Sequence, residues 1–190
     1  MRIKKNINQL QLLFNSNNKK AVTILYQDIW NEYYKRIHYY VSSIIGIGNN
    51  NIEDLVQEIM FKVYEKLSSY INKYAFSTWI YTIARNHCYD FLRKKNTNSK
   101  FIVENFISIE ESPEENVLKE ELKNKIRFII NNLHKDEREI VFLYFYEKMS
   151  YKQIKIITDI PVGTIKYKMS IIKEKLKYEL EDYYENEKNY

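Results

Sequence analysis

One stretch of the chain, Phe76 to Lys95 (FSTWIYTIARNHCYDFLRKK), concentrates side chains able to handle a nucleic acid. At 100° per residue, Ile80, Ile83, Ala84, His87, Cys88 and Phe91 share one side of a helix, and Thr78, Thr82, Arg85, Asn86, Tyr89 and Arg93 share the other. An amphipathic helix ordinarily opposes its core side with Lys and Glu. Here threonines, an amide, a tyrosine and arginines take that place, and the cationic run Arg93-Lys94-Lys95 closes the segment. Such groups donate to phosphates, reach base edges and stack on bases. Ser77 is the expected N-cap, its hydroxyl accepting a free backbone N–H. The plain alternative is an ordinary solvated surface helix.

A second stretch, SYKQIKIITDIPVGTIKYKMSIIKEKLKYEL from Ser150 to Leu180, has the spacing of a helix-turn-helix. Ser150 with Gln153 forms a capping box, a short helix runs from Tyr151 to near Thr158, and Asp159-Ile160-Pro161 turns the chain. Pro161 suits the first turn of the longer helix that follows, where its missing N–H costs nothing. That helix would carry Thr164, Lys166, Tyr167, Lys168, Ser170 and Lys173 at its exposed N-terminal end, where recognition helices place base-reading side chains. A helical hairpin with a solvated basic face has the same pattern.

A third constellation lies between them. A helix capped by Asn51 and running to about Leu67 has core positions Ile52, Leu55, Val56, Ile59, Val63 and Leu67. Its other side holds Asp54, Gln57, Glu58, Phe61 and Glu65. A large ring ringed by charge is the composition of a protein-contact patch. Packing of Phe61 under a neighbouring loop would explain the same pattern.

The remaining elements serve to position these. Residues 1–20 read as an N-terminal arm with a weak pattern around Leu10, Leu12, Leu13 and Phe14. A long helix follows, with Ile24, Leu25, Ile29, Tyr33, Ile37, Tyr40, Val41 and Ile44 inward, until Gly46-Ile47-Gly48-Asn49-Asn50 breaks it. Ser68 to Ala75 is a polar loop. Residues 97–117 read as a linker, acidic from Glu111 to Asn116 and broken by Pro113. Helical pattern resumes with Leu118, Leu122, Ile126, Ile129, Ile130 and Leu133. It continues from about Lys135 to Lys148 with Ile140, Val141, Tyr144 and Phe145 inward.

Composition agrees. Three Gly and two Pro in 190 residues supply little turn material for an all-β fold, and 45% apolar residues exclude global disorder. Residues 1–100 carry 15 basic and 7 acidic side chains, residues 101–122 carry 1 and 7, and residues 123–190 carry 14 and 11. Two basic modules around an acidic hinge suit a polyanionic partner. The single Cys88 excludes an internal disulfide and a cysteine-rich zinc site, and reads as core. No apolar run reaches the roughly 18–20 residues of a membrane span, and MRIKKNINQLQLLF lacks the form of a signal peptide. His38, His87 and His134 lie far apart, and no Gly-rich phosphate loop or GxSxG occurs. The expectation is therefore a cytoplasmic binding protein, not an enzyme, with no metal and no cofactor.

Together these stretches resemble a known family. Asp54-Leu55-Val56-Gln57-Glu58 with Phe61-Lys62-Val63-Tyr64, then Phe76-Ser77-Thr78-Trp79-Ile80, then Ile83-Ala84-Arg85-Asn86 and Asp90-Phe91-Leu92-Arg93 are similar to region 2 of bacterial RNA polymerase sigma factors of the sigma-70 family, in its extracytoplasmic-function (ECF) group. Leu143 to Leu176, with Met149-Ser150-Tyr151, Gln153-Ile154 and Ile160 to Lys166, resembles region 4. The resemblance implies an all-α chain of two small helical domains, a region 2 helical bundle at 21–97 and a region 4 helix-turn-helix at 118–184. A flexible acidic linker at 98–117 would join them, with a tail at 185–190.

It also implies roles. Asp54, Gln57, Glu58 and Phe61 match the surface that docks on the clamp helices of the polymerase's largest subunit. The loop Ser68 to Ala75, with Tyr70, Asn72 and Lys73, matches the one that captures a flipped base of the −10 element. Trp79, Arg85, Asn86, Tyr89 and Arg93 match the helix that engages the −10 strands and helps open them. Thr164, Lys166, Tyr167, Lys168, Ser170 and Lys173 match the helix that enters the major groove at the −35 element. Implied partners are core RNA polymerase, including the flap of its second-largest subunit, and promoter DNA, with an anti-sigma factor as a further class. Ile171 and Ile172 depart from the family by standing where relatives often carry Arg or another polar group, and Tyr167 stands where a small residue is common. The alternative is a stand-alone helix-turn-helix regulator whose N-terminal half dimerises.

Overall fold

The computed structural model describes residues 19–46, 48–95 and 117–187, all of them helix, turn or short connection. The N-terminal arm up to residue 18 and the acidic linker lie outside the described residues. Three α-helices form an N-terminal unit: α1 (Lys19–Ile45), α2 (Ile52–Lys66), which runs on into a 3₁₀ turn at Leu67–Ser69, and α3 (Phe76–Lys95). The C-terminal unit consists of α4 (Val117–Asn131), α5 (Lys135–Val141), a π turn (Phe142–Tyr146), α6 (Tyr151–Thr158) and α7 (Val162–Glu187). Helix α7 thus continues past the expected domain end at 184.

Helix α1, about 40 Å long at 1.5 Å per residue, carries the spine of the N-terminal unit. Leu25, Ile29, Tyr33, Ile37, Tyr40, Val41 and Ile44 are all buried along it. Ile24, expected inward, instead stands 57% exposed, one step off the stripe that its neighbour Leu25 occupies. The helix stops where Gly46, at φ 90°, takes the left-handed conformation that other residues resist, its N–H closing on the Ser42 carbonyl. Helix α2 packs Ile52, Leu55, Val56, Ile59, Met60 and Val63 against α1 and α3, each such side chain worth roughly 1.5–3 kcal/mol when fully buried. Asn51 flanks α2 but does not cap it: its side-chain amide donates to Asn49 Oδ1 at 2.6 Å.

Helix α3 starts at Phe76, because the Ala75 carbonyl already accepts the Trp79 N–H at 3.2 Å. Ser77 therefore sits within the first turn instead of capping it. Cys88 is core, as expected, and burial pushes its thiol well above the usual range.

In the C-terminal unit the expected helix to Lys148 is broken. After Val141 the chain widens into the π turn, with Glu147 N–H reaching back five residues to the Phe142 carbonyl. Residues 138–143 are buried on every side, Arg138 and Glu139 included, and beyond them Tyr144 is half-buried and Phe145 exposed. The helix-turn-helix follows as expected. The Ser150 hydroxyl accepts the Gln153 N–H, and the Gln153 side chain returns to Ser150 N–H at 3.0 Å. Asp159, at φ 60°, ends α6, and Pro161 leads into α7. Ile154, Ile157, Ile165, Met169 and Ile172 fill the angle between the two helices. Ile172 is thus core and not a departure on the DNA side, whereas Ile171 is exposed.

The two units do not stand apart. Helix α3 packs on α6, and α1 packs on α5. Tyr40 and Tyr81, both fully buried, meet edge to face at 4.9 Å, and Phe142 of the second unit packs against both rings.

Candidate nucleic-acid interface

The exposed face of α2 is simple. Asp54, Gln57, Glu58 and Glu65 are exposed, and Phe61 stands 59% exposed among them. The ring does not pack under a loop. Glu58 also holds His87 of α3, Oε2 to Nε2 at 2.5 Å, which ties this face to the next helix.

Below it, Tyr33, Tyr70, Phe76 and Trp79 form an aromatic knot with ring centroids 5.2–5.6 Å apart. Tyr70 is buried in it. Its hydroxyl donates to the Tyr74 carbonyl at 2.7 Å and to Asn72 Oδ1 at 3.2 Å. Tyr70, expected at the −10 strand, is thus folded into the loop and not exposed on it. Trp79 is half-buried in the same knot. The open members of the loop are Ile71, 63% exposed, Asn72, Lys73 and Tyr74. Ile71 and Tyr74 were missed by sequence reasoning, since nothing in SSYINKYA tells which tyrosine folds inward.

The polar side of α3 divides in two. Asn86 and Arg93 are exposed, with Arg93 paired to Asp90 one turn back. Thr78, Arg85 and Tyr89 instead face the second unit. Thr78 is fully buried and accepts from Gln153 Nε2 at 3.4 Å. Arg85 donates from Nε to Glu139 Oε1 at 3.0 Å, and its guanidinium lies 4.3 Å from the Tyr89 ring centroid. Tyr89 donates to Glu139 Oε2 at 3.2 Å and to Asp136 Oδ1 at 3.3 Å. Tyr40 adds a third donor to Glu139, at 2.6 Å.

Glu139 is fully buried. Burial raises its carboxyl above the ordinary value, and the Arg85 charge with the Tyr40 and Tyr89 hydroxyls pulls it back. Burial alone would lower Arg85, but Glu139 and Tyr89 outweigh it and hold the guanidinium charged. Glu147, its side chain 1% exposed, binds Arg36 of α1 through both carboxylate oxygens. Arg138 donates to the Ser43 carbonyl at 3.3 Å. Periodicity cannot reveal Glu139 and Glu147, because their partners lie far away in sequence.

On α7, Thr164, Lys166, Tyr167, Ser170 and Lys173 are exposed on consecutive turns. Lys168 is half-covered, 3.8 Å from Glu137. These side chains follow directly on the tight turn at Asp159–Pro161, where a helix-turn-helix points its second helix outward. Among the described residues no three metal-ligating side chains cluster, and no helix is long and apolar enough to cross a membrane.

A helical bundle whose third helix bears an arginine, an amide and a tyrosine, followed by a helix-turn-helix, is the layout of a sigma factor. Residues 29–97 match the family Sigma-70 region 2, and residues 123–176 match Sigma-70, region 4. The chain belongs to the sigma-70 family of RNA polymerase sigma factors, in its ECF group. It is 29% identical over 193 residues to the ECF RNA polymerase sigma factor SigW of Bacillus subtilis, spanning 96% of this chain and 98% of that protein. It is 28% identical over 174 residues to the ECF RNA polymerase sigma-E factor of Haemophilus influenzae, spanning 86% and 89%. With the sigma-E factor of Escherichia coli it shares 33% over 144 residues, 69% of this chain and 75% of that one. In fold it is similar to the sigma factor RpoE from Bartonella quintana, solved with the anti-sigma factor NepR (TM-score 0.63, 22% identity, 82% of this chain and 96% of that). It is also similar to CnrH, solved with the cytosolic domain of CnrY (TM-score 0.60, 16% identity, 91% and 96%). Both regions matching in one chain favours a sigma factor over a stand-alone regulator.

Proposed function

We propose that the chain joins core RNA polymerase through Asp54, Gln57, Glu58 and Phe61, and directs it to promoters with −35 and −10 elements. It then helps separate the strands. Thr164, Lys166, Tyr167, Lys168, Ser170 and Lys173 read the −35 duplex from the major groove, where short and cationic side chains meet base edges and phosphates. Asn72, Lys73, Arg85, Asn86, Tyr89 and Arg93 take the −10 strands, with Ile71 and Tyr74 added at the loop tip and Tyr70 and Trp79 supporting them from below. Extruding a base costs a few kcal/mol, which stacking and phosphate contacts offset. The chain acts in the cytoplasm and carries out no chemistry of its own. An anti-sigma protein is a further partner class.

The observation that carries this reading is Phe61, a 59% exposed ring set among exposed Asp54, Gln57 and Glu58 on the side of α2 opposite the core. Such a ring buries little in the free chain, and its setting among charges suits a large protein partner. Purified chain added to core polymerase should give promoter-specific transcripts on genomic templates. Initiation no more selective than that of core enzyme alone would defeat the reading.

A further inference from the structure

We infer that Tyr167 and Ile171, and not the lysines beside them, set the sequence preference at the −35 element, and that they select thymine through its methyl group. The inference rests on the assignment of α7 to the −35 duplex and deepens it to the base that is read.

At 100° per residue, Thr164, Tyr167, Ile171, Glu174 and Tyr178 line up along the outer side of α7. The core residues Ile165, Met169 and Ile172 occupy the opposite side. Tyr167 is 67% exposed and Ile171 44%. A lone exposed apolar side chain is ordinary, but these two stand one turn apart in a single row. From Thr164 to Ile171 that row runs about 11 Å at 1.5 Å per residue, against a major groove about 12 Å wide. Glu174 then ends it with a carboxylate that phosphates repel. Lys166, Lys173 and Lys177 fall to one side of the row, Lys168 and Lys175 to the other. With the row on the groove floor, these cations face the phosphate walls, where they add affinity without sequence preference. Gly163 agrees with this seating. Its φ is not positive and a Cβ there would meet nothing within 4 Å, so no contact among the described residues calls for glycine. A DNA backbone brought close to the first turn would.

The chemistry of the row points to one base. Between Val162 and Glu181 there is no Arg, Asn or Gln, the side chains that grip guanine or adenine at two points. Lys168, Lys173 and Lys177 are drawn aside, toward Glu137, the Tyr144 ring and Glu181. Ser170 Oγ donates to the Tyr167 carbonyl at 2.8 Å, so its proton is used within the helix. What remains for the bases is a ring and a branched chain. In the major groove thymine alone carries an apolar group, its C5-methyl. Ile171 set against that methyl removes apolar surface from water on both sides. Set against guanine O6, or the amines of cytosine or adenine, it would strip water from a polar atom and return no hydrogen bond.

The test uses holoenzyme assembled from the full-length chain and core polymerase, on a genomic promoter that it transcribes specifically. Each thymine of the upstream element is replaced in turn by deoxyuridine, which removes the methyl and keeps every hydrogen-bonding group. Holoenzyme binding, measured by competition, should fall about fourfold, the size of one methyl group returned to water. It should do so at two thymines within about three base pairs, and at no thymine between the two elements. With Ile171→Ala holoenzyme, deoxyuridine at one of these positions should make no difference, and Tyr167→Ala should silence the other. Both substitutions fall on exposed side chains, so folding should be unaffected, and the deoxyuridine scan itself needs no variant. The inference is overturned if no thymine of the upstream element responds, or if the response survives in both variants. Specific transcripts would in either case leave the proposed function standing. If no genomic promoter yields specific transcripts, that function falls and the inference falls with it.

Discussion

Helices α3 and α7 are assigned to the same kind of ligand, yet the protein treats them differently. The first turns of α7 hold their polar groups in solvent, with Thr164, Lys166, Tyr167, Ser170 and Lys173 all exposed. The corresponding side of α3 is pressed against a second unit that satisfies Thr78, Arg85 and Tyr89 with its own groups. Duplex recognition needs a rigid protruding helix and nothing removed from its path. Strand capture needs a surface that is polar, aromatic and cationic at once, and such a surface finds partners inside its own chain when none is supplied from outside.

The contrast can be broken most severely from within. Ile140 is fully buried between the two units' shared core residues, and Ile140→Ala should cost about 2–5 kcal/mol, seen as a large fall in Tm. It should also expose amides of α1 and α3 to hydrogen exchange before those of α7 beyond Met169. Uniform loss of protection would argue that the seam between the two units and the helix-turn-helix are not separable. Phe61→Ala is the next largest effect. It should weaken core-polymerase binding by about 2 kcal/mol, roughly 30-fold in Kd, in a pull-down titration, and leave Tm within about half a degree because the ring buries little in the free chain. Ser150→Ala removes the cap of α6 and should lower stability by about 1 kcal/mol, with the loss confined to the C-terminal unit. The smallest effect is expected from Lys166→Ala. Duplex binding should fall severalfold, with the slope of log affinity against log salt reduced by about one. An unchanged slope would mean that Lys166 touches no phosphate.

How much of this was legible beforehand follows from where each side chain finds its partner. Helix α2 was readable on both faces, since one packs within the unit and the other meets solvent, the situation that periodicity encodes. The bounds of α3 were readable too, but not the fate of its polar side. Thr78 and Tyr89 look like surface residues until groups such as Gln153 and Glu139 are brought to them from far along the chain. The burial of Tyr70 was not legible, because a tyrosine with an apolar body and a polar tip suits a base and a buried loop anchor equally well. Tyr144 and Phe145 follow the inward phase only in an unbroken α-helix, and the π turn that starts at Phe142 interrupts that phase. Ser150 and Gln153 were legible because a capping box is complete within four residues.

The π turn at Phe142–Tyr146 carries a constraint that composition does not express. It spends one residue more than an α-turn over the same reach, and that residue is what sets Phe142 against Tyr40 and Tyr81 while turning Glu147 toward Arg36. Removing one residue from within Phe142–Tyr146 should restore α-helical phase and turn Glu147 away from Arg36. Within the turn, a one-residue insertion or deletion should therefore destabilise the packing of the two units more than a substitution of similar volume.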